Sequence, residues 1–230
     1  MLPPGQVART DFPRFGLSQY AERFPSQLTD RSLSVQVLSA APLVLGDALS
    51  GLPRTTLQAD FHCVTTWSSL GLFWGGVRFS DFFHQRVAPL VPSGTIVGVV
   101  LSAQDGYRTT LLLEDLMAED VLLADELNAQ PLGIEHGAPL RLVAPQHYGY
   151  KSMKHLSKLE FLATIPVIKH GPLAFLDHPR ARVALEERGL WFPGWLLRRL
   201  YRPLIPSTVK AFRAGMLRYM QSSAGGSDAS

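Results

Sequence analysis

The chain has 230 residues, 46% of them hydrophobic and 18% charged, with a formal net charge of +3; this is enough to bury a core in one domain, or one domain with an appendage, and it excludes fibrous and disordered classes. Cys63 is the only cysteine, so there is no disulfide framework, and a lone thiol fits a reducing compartment. No apolar run approaches the ~18 residues of a membrane span, and Met1-Leu2-Pro3-Pro4-Gly5 resembles neither a secretory leader nor a twin-arginine signal, so the expected location is cytoplasmic.

In chain order, the first 30 residues are rich in Pro, Arg and Gln without a sustained period and predict an extended arm. Residues 32–38 alternate polar and apolar, the pattern of a half-buried strand. Residues 42–52 predict a short helix closed by Gly51 and Pro53, and 55–61 a strand that delivers His62 and Cys63 at its end. Residues 79–87 look helical, and 95–101 form a β-branched apolar run suited to a buried strand. A strand over 106–110, a short helix at 114–117, a strand and turn over 122–132 with Asn128 as turn residue, and strands at 139–143 and 159–165 complete the body. Strands and short helices without a βαβ rhythm predict an α+β, strand-dominated fold.

After Pro172 the character changes. Residues 177–188 read as a helix stopped by Gly189, and 193–202 and 207–219 as two amphipathic helices broken by Pro203 and Pro206. Nine of the 22 Lys and Arg residues but only two of the 19 acids lie between His178 and Tyr219, leaving a mildly acidic body and a strongly basic tail. The expected organisation is a body over 1–175, a helical basic extension over 176–221, and a disordered Ser/Gly-rich tail over 222–230.

The most informative segment is Ala59-Asp60-Phe61-His62-Cys63-Val64-Thr65-Thr66-Trp67-Ser68. Three chemistries are open to its thiol: a buried structural cysteine, a Cys–His nucleophile, or a single soft thiolate ligand to a metal whose other ligands belong to a cofactor. His62 is a poor base for Cys63, because neighbours on a strand point to opposite faces. Zinc is disfavoured, since no second cysteine exists and the seven histidines form no ligand motif. The residues by themselves do not separate what remains.

Further blocks follow in order: Trp74-Gly75-Gly76-Val77, Asp105-Gly106-Tyr107-Arg108-Thr109-Thr110, Glu126-Leu127-Asn128-Ala129-Gln130-Pro131-Leu132, the run His136-Gly137-Ala138-Pro139-Leu140-Arg141, and Tyr148-Gly149-Tyr150-Lys151-Ser152-Met153-Lys154. Together with the cysteine segment they resemble the sulfite oxidase/molybdopterin-dependent oxidoreductase family over roughly residues 11–163. The similarity is to its small bacterial members, which consist of the catalytic domain without haem or immunoglobulin-like domains. In that family Trp74–Val77 corresponds to a turn.

The resemblance implies a molybdenum–molybdopterin cofactor with Cys63 as the protein's metal ligand. It assigns cofactor contacts to Ser102, His136, Arg141, Lys151, Ser152, Met153 and Lys154, with Arg141 offering a planar donor fork to the pterin phosphate. Tyr107 corresponds to the tyrosine near the metal's oxo groups, where a phenol can donate to an oxygen gaining charge. Arg14 corresponds to an arginine serving cofactor or anionic substrate, and Trp67 and Trp74 to pocket walls. The implied activity is oxygen-atom transfer on a small oxo-anion or a sulfoxide-type substrate. The family's further C-terminal substrate arginine has no counterpart, so substrate and direction stay open.

An external electron carrier or redox partner subunit is implied. Within 178–220, aromatics interleave with arginines as in interfacial helices, which points to peripheral membrane contact or docking to a redox partner, alongside the plainer alternative of helices packed on the body. No nucleic-acid recognition motif accompanies the charge. The competing functions are a non-catalytic binding or assembly module of the same fold acting through its basic extension, and, further off, a cysteine-nucleophile enzyme.

Overall fold

A computed structural model describes residues 1–91, 95–166, 168 and 177–225, with side chains described as far as Ser222. The strands are β1 (Val7–Arg9), β2 (Leu33–Val37), β3 (Leu43–Leu45), β4 (Arg54–His62), β5 (Trp67–Arg78), β6 (Gly98–Ala103), β7 (Arg108–Leu112), β8 (Leu122–Leu127), β9 (Gln130–Pro131), β10 (Arg141–Val143) and β11 (Leu156–Leu162). The helices are α1 (Phe79–Phe82), α2 (Leu113–Leu116), α3 (Gly194–Tyr201) and α4 (Ile205–Gly225).

Two mixed sheets carry the body. In the six-stranded sheet β5 is the spine: it pairs antiparallel with β4 along its length, and with β1 and then β8 on its other edge, while β10 and β9 extend β8. The five-stranded sheet runs β3-β2-β11-β6-β7, with β2 and β11 parallel. The fold is thus α+β and strand-rich, as its irregular alternation of elements requires.

Period-two alternation divides the six-stranded sheet between two cores. Val77, Leu123 and Leu142 face the main core with Val35, Leu101, Leu159 and Phe161 of the other sheet, whereas Trp74, Leu122, Ala124 and Val143 face a second core that includes Phe12 and Phe61. At about 25 cal/mol per Å², each such fully buried aliphatic side chain contributes roughly 2 kcal/mol before entropy is counted.

Several expectations need correction. Residues 42–52 hold no helix: Leu43–Leu45 pairs with β2, and the Asp47 carboxylate then captures the Leu49 N–H at 3.0 Å. Trp74–Val77 is not a turn but the middle of β5, where β8 approaches so closely that a Cβ on Gly76 would lie 2.1 Å from the Leu123 oxygen. Residues 79–87 are helical, but as one α turn followed by a wider π turn.

Residues 177–188 form turns instead of a helix. His178 Nδ1 accepts from the Ala181 N–H, Glu187 accepts from the Arg182 N–H, and Ala181 and Glu186 have positive φ; side chains here outcompete the helical backbone bonds. Beyond Gly189 the two helices form, but the chain runs from α3 through one 3₁₀ turn into α4, which starts before Pro206. A proline in a first turn gives up only an N–H that would be unsatisfied anyway. The expected boundary at 172–175 and most of the 222–230 tail lie outside the described residues.

Candidate functional site

Cys63 sits at the apex between β4 and β5. Its N–H donates to Trp67 O at 2.8 Å, its carbonyl accepts from Thr66 N at 3.1 Å, and Gln6 Nε2 braces the same carbonyl at 3.0 Å. Thr66 closes the turn at φ +89°. The Sγ lies 3.1 Å from Thr65 Oγ1, and burial pushes the thiol above its usual range. His62 turns away, its Nδ1 bonded to Ser68 Oγ at 2.8 Å, as strand alternation requires. Among the described residues, no group of three or more His, Cys, Asp or Glu side chains could hold a metal ion.

Beside the thiol opens a cavity of about 590 Å³, walled by Phe12, Phe15, Phe61, Trp67 and Tyr150 and reached by Arg14, Tyr107, Ser152, Met153 and Lys154. Its far wall is built by the C-terminal extension: Tyr201 of α3, Leu204, and Thr208 and Phe212 of α4. Fully buried Arg188 fastens that extension to the cysteine turn. It donates to Val64 O at 2.5 Å and to Pro4 O at 2.9 Å, and pairs with Glu186 at 3.2 Å.

Behind this cavity lies a cluster of buried cations. Arg141, on β10, is fully buried, donates to His136 O at 2.7 Å and Ser152 O at 3.2 Å, and stacks 4.6 Å from the centre of the Trp74 ring. Lys154 donates to Glu135 O at 2.7 Å. Among the described residues neither makes a salt bridge. Desolvation accordingly lowers Arg141 to about 9; burial, with the Arg141 and Arg14 charges, lowers Lys154 to about 7. His136, stacked on Phe12 at 4.6 Å, is lowered to about 3 by burial and these cations, and its buried Nδ1 has no hydrogen-bond partner. Gly137 makes the cluster possible: its φ is +109°, and a Cβ there would press on Lys154 and Arg141 at 3.1 and 3.2 Å.

Six of the ten expected site residues therefore meet at the cavity: Cys63, Arg14, Tyr107, Ser152, Met153 and Lys154. Arg141 and His136 stand behind it. The Arg14 guanidinium is occupied by the carbonyls of Ala21, Tyr20 and Arg23 and by the Phe24 and Phe212 rings. The Tyr107 hydroxyl donates to Tyr150 O at 3.1 Å, and burial keeps it protonated well above 10. Lys151 turns away to Thr110 O at 2.9 Å, lowered by burial to about 8. Ser102 lies on β6, its carbonyl accepting from Ser157. Trp67 lines the cavity, whereas Trp74 instead backs Arg141. Sequence reasoning missed Thr65, Arg188 and the α3–α4 wall; amphipathic spacing announced the last, without saying what its apolar face would cover.

A molybdopterin-binding oxidoreductase accounts for one thiolate beside a cavity with uncompensated cations behind it, and the comparisons agree. Residues 23–166 match the family model described as oxidoreductase molybdopterin binding domain. The chain is 37% identical over 163 residues to the uncharacterized oxidoreductase YuiH of Bacillus subtilis (strain 168), covering 70% of this chain and 78% of that one. It is 28% identical to the protein-methionine-sulfoxide reductase catalytic subunit MsrP of Xanthomonas axonopodis pv. citri (strain 306), covering 72% of this chain and 62% of that one. The fold is like that of the sulfane dehydrogenase SoxCD from Paracoccus pantotrophus, with a TM-score of 0.55 and 22% identity over 68% of this chain and 45% of that one.

The chain belongs to the molybdopterin-binding oxidoreductase family, whose members bind the molybdenum cofactor. The residues present fit such a group. A thiolate is a soft ligand that suffices when a dithiolene supplies the rest; Arg141, Lys154 and the orphaned His136 Nδ1 are what a buried phosphate and a heteroaromatic ring require.

Proposed function

We propose that the chain transfers an oxygen atom to or from a small sulfoxide-type or oxo-anion substrate, with the sulfoxide class favoured. The observation that carries this reading is the cavity itself: Cys63 opens into a space walled mainly by aromatic and aliphatic side chains, and among its described lining residues Arg14 is already committed to three backbone carbonyls and Lys154 to the Glu135 carbonyl. A sulfite-like dianion needs several free cations converging on it, whereas an uncharged sulfoxide needs an apolar wall and a single donor at its oxygen.

Bound at Cys63, molybdenum–molybdopterin supplies two-electron redox and oxygen-atom transfer chemistry. The chain's own residues divide the remaining work. Cys63 is the metal ligand, Arg141 and Lys154 neutralise the pterin phosphate, and His136 hydrogen-bonds the cofactor through Nδ1. Tyr107 stays protonated and offers its hydroxyl hydrogen to the substrate oxygen, exchanging its bond to the Tyr150 carbonyl for it. Phe12, Phe15 and Phe212 hold the apolar substituents and exclude water. In the reducing direction a sulfoxide takes up two electrons and two protons and leaves as a thioether and water. The electrons come from an external carrier.

Elemental analysis and pterin release on protein made in a cofactor-producing host test the assignment, with near one molybdenum per chain expected. Steady-state oxidation of a reduced viologen by dialkyl sulfoxides tests the substrate. Sulfite oxidation without sulfoxide reduction would reverse that part of the reading while leaving the cofactor in place.

A further inference from the structure

The chain from Leu190 to Leu204 exposes six large apolar side chains. Leu190, Trp191 and Phe192 lead into α3; Trp195 and Leu200 project from it, and Leu204 follows. Trp191 is 73% exposed and Trp195 50%. The inner face of α3 is already satisfied, with Leu197 and Tyr201 buried four residues apart. Left outside are Leu200 and Leu204 at four-residue spacing, next to half-buried Leu196, and Trp195 with Arg199, whose guanidinium lies 5.6 Å from the Trp195 ring centre.

Between Gly189 and Gly225 there are six Lys and Arg residues and no acid. Arg198 is held by Glu186 at 3.4 Å, but Arg199 and Arg202 stand beside the exposed indoles and leucines with no salt bridge among the described residues; that combination suits a surface that is apolar inside and anionic outside, since each aromatic seats its body in acyl chains and its polar edge among headgroups. No helix among the described residues is long and apolar enough to cross a bilayer, so such contact is peripheral. Leu204 is both half exposed and part of the cavity wall, so the patch runs up to the cavity.

We propose that the 190–204 face, formed by α3 and its flanking turns, is a docking surface for an anionic lipid bilayer, which it engages by shallow insertion of Trp191, Trp195 and Leu200 while Arg199 and Arg202 contact headgroup phosphates. Docked this way, the cavity's α3 side faces the membrane. The charge argument favours lipid over a protein partner, whose acidic patch would have to carry a matching apolar surface.

The test is co-sedimentation of the full chain with phosphatidylcholine vesicles, with and without phosphatidylglycerol, alongside tryptophan emission. Trp67 and Trp74 are buried, so a blue shift reports Trp191 and Trp195. Binding to anionic vesicles about tenfold tighter than to neutral ones, weakened by salt and accompanied by a blue shift, is expected. Trp191→Glu/Trp195→Glu removes both signals, and Arg199→Glu weakens binding with the circular dichroism spectrum unchanged. Three results would each overturn the proposal: no binding at low ionic strength, equal binding to neutral vesicles, or undiminished binding of the double variant. The first would hand the patch to a protein partner.

Discussion

The chain withdraws cations from solvent, wholly or in part, in two regions and treats them oppositely. At the start of the C-terminal extension they meet acids: buried Arg188 with Glu186, and half-buried Arg182 with Glu187 at 2.6 Å and Arg180 with Asp115. Behind Cys63, Arg141 and Lys154 have only carbonyl oxygens, and both are pulled well below their usual ranges. A paired cation is complete as folded, whereas a cation offered dipoles alone leaves much of its desolvation cost uncompensated until an anion arrives. The first kind holds the fold together and the second kind marks a binding site.

The comparison can be broken most severely at the thiol. Cys63→Ser should lower molybdenum from near one per chain to background by elemental analysis, with the far-ultraviolet circular dichroism intact. Next, Arg188→Met should cost about 3 kcal/mol in urea unfolding, because it strands the Val64 and Pro4 carbonyls and leaves Glu186 with Arg198 alone. By contrast, Lys154→Met should leave the cofactor-free chain within about 1 kcal/mol of the parent while lowering bound pterin about tenfold. If both substitutions destabilise equally, the distinction between paired and waiting cations fails.

The same contrast can be sharpened through pH. Folded Lys154 and Lys151 are lowered to about 7 and about 8, below the ordinary lysine value of 10.5, so the unfolded chain binds more protons across that interval. Stability of the cofactor-free chain should therefore rise from pH 7 to pH 9, a change seen as an increasing urea midpoint. The slope should shrink in Lys154→Met and shrink again when the cofactor is bound, since the phosphate restores the lysine's charge.

Legibility followed how local each feature is. The strand over 32–38 and the one ending at His62 are readable because period-two alternation is written in consecutive residues; the middle of β5 is not, because the resemblance assigns Trp74–Val77 to a turn and Gly75 and Gly76 give no strand signal until β8 is laid against them. The extension's turns at 177–188 were mistaken for a helix because the side chains that capture its backbone act only once folded. In the site, the motif residues pointed to Cys63 and Arg141, but not to Arg14 and Lys151 being turned to carbonyls, nor to Phe212 as a cavity wall.

By itself, then, the sequence determined the fold class, the single thiolate, the cation-bearing blocks and the basic, aromatic tail, since each is a property of residue type and local spacing. Only the tertiary structure decided which cations find acids, which aromatic rings face the cavity, and that α3 and α4 close over the cysteine. Many of those outcomes depend on contacts between residues far apart in the chain, such as Arg180 with Asp115 and Arg188 with Val64, and pairing at that range is fixed by the folded chain as a whole.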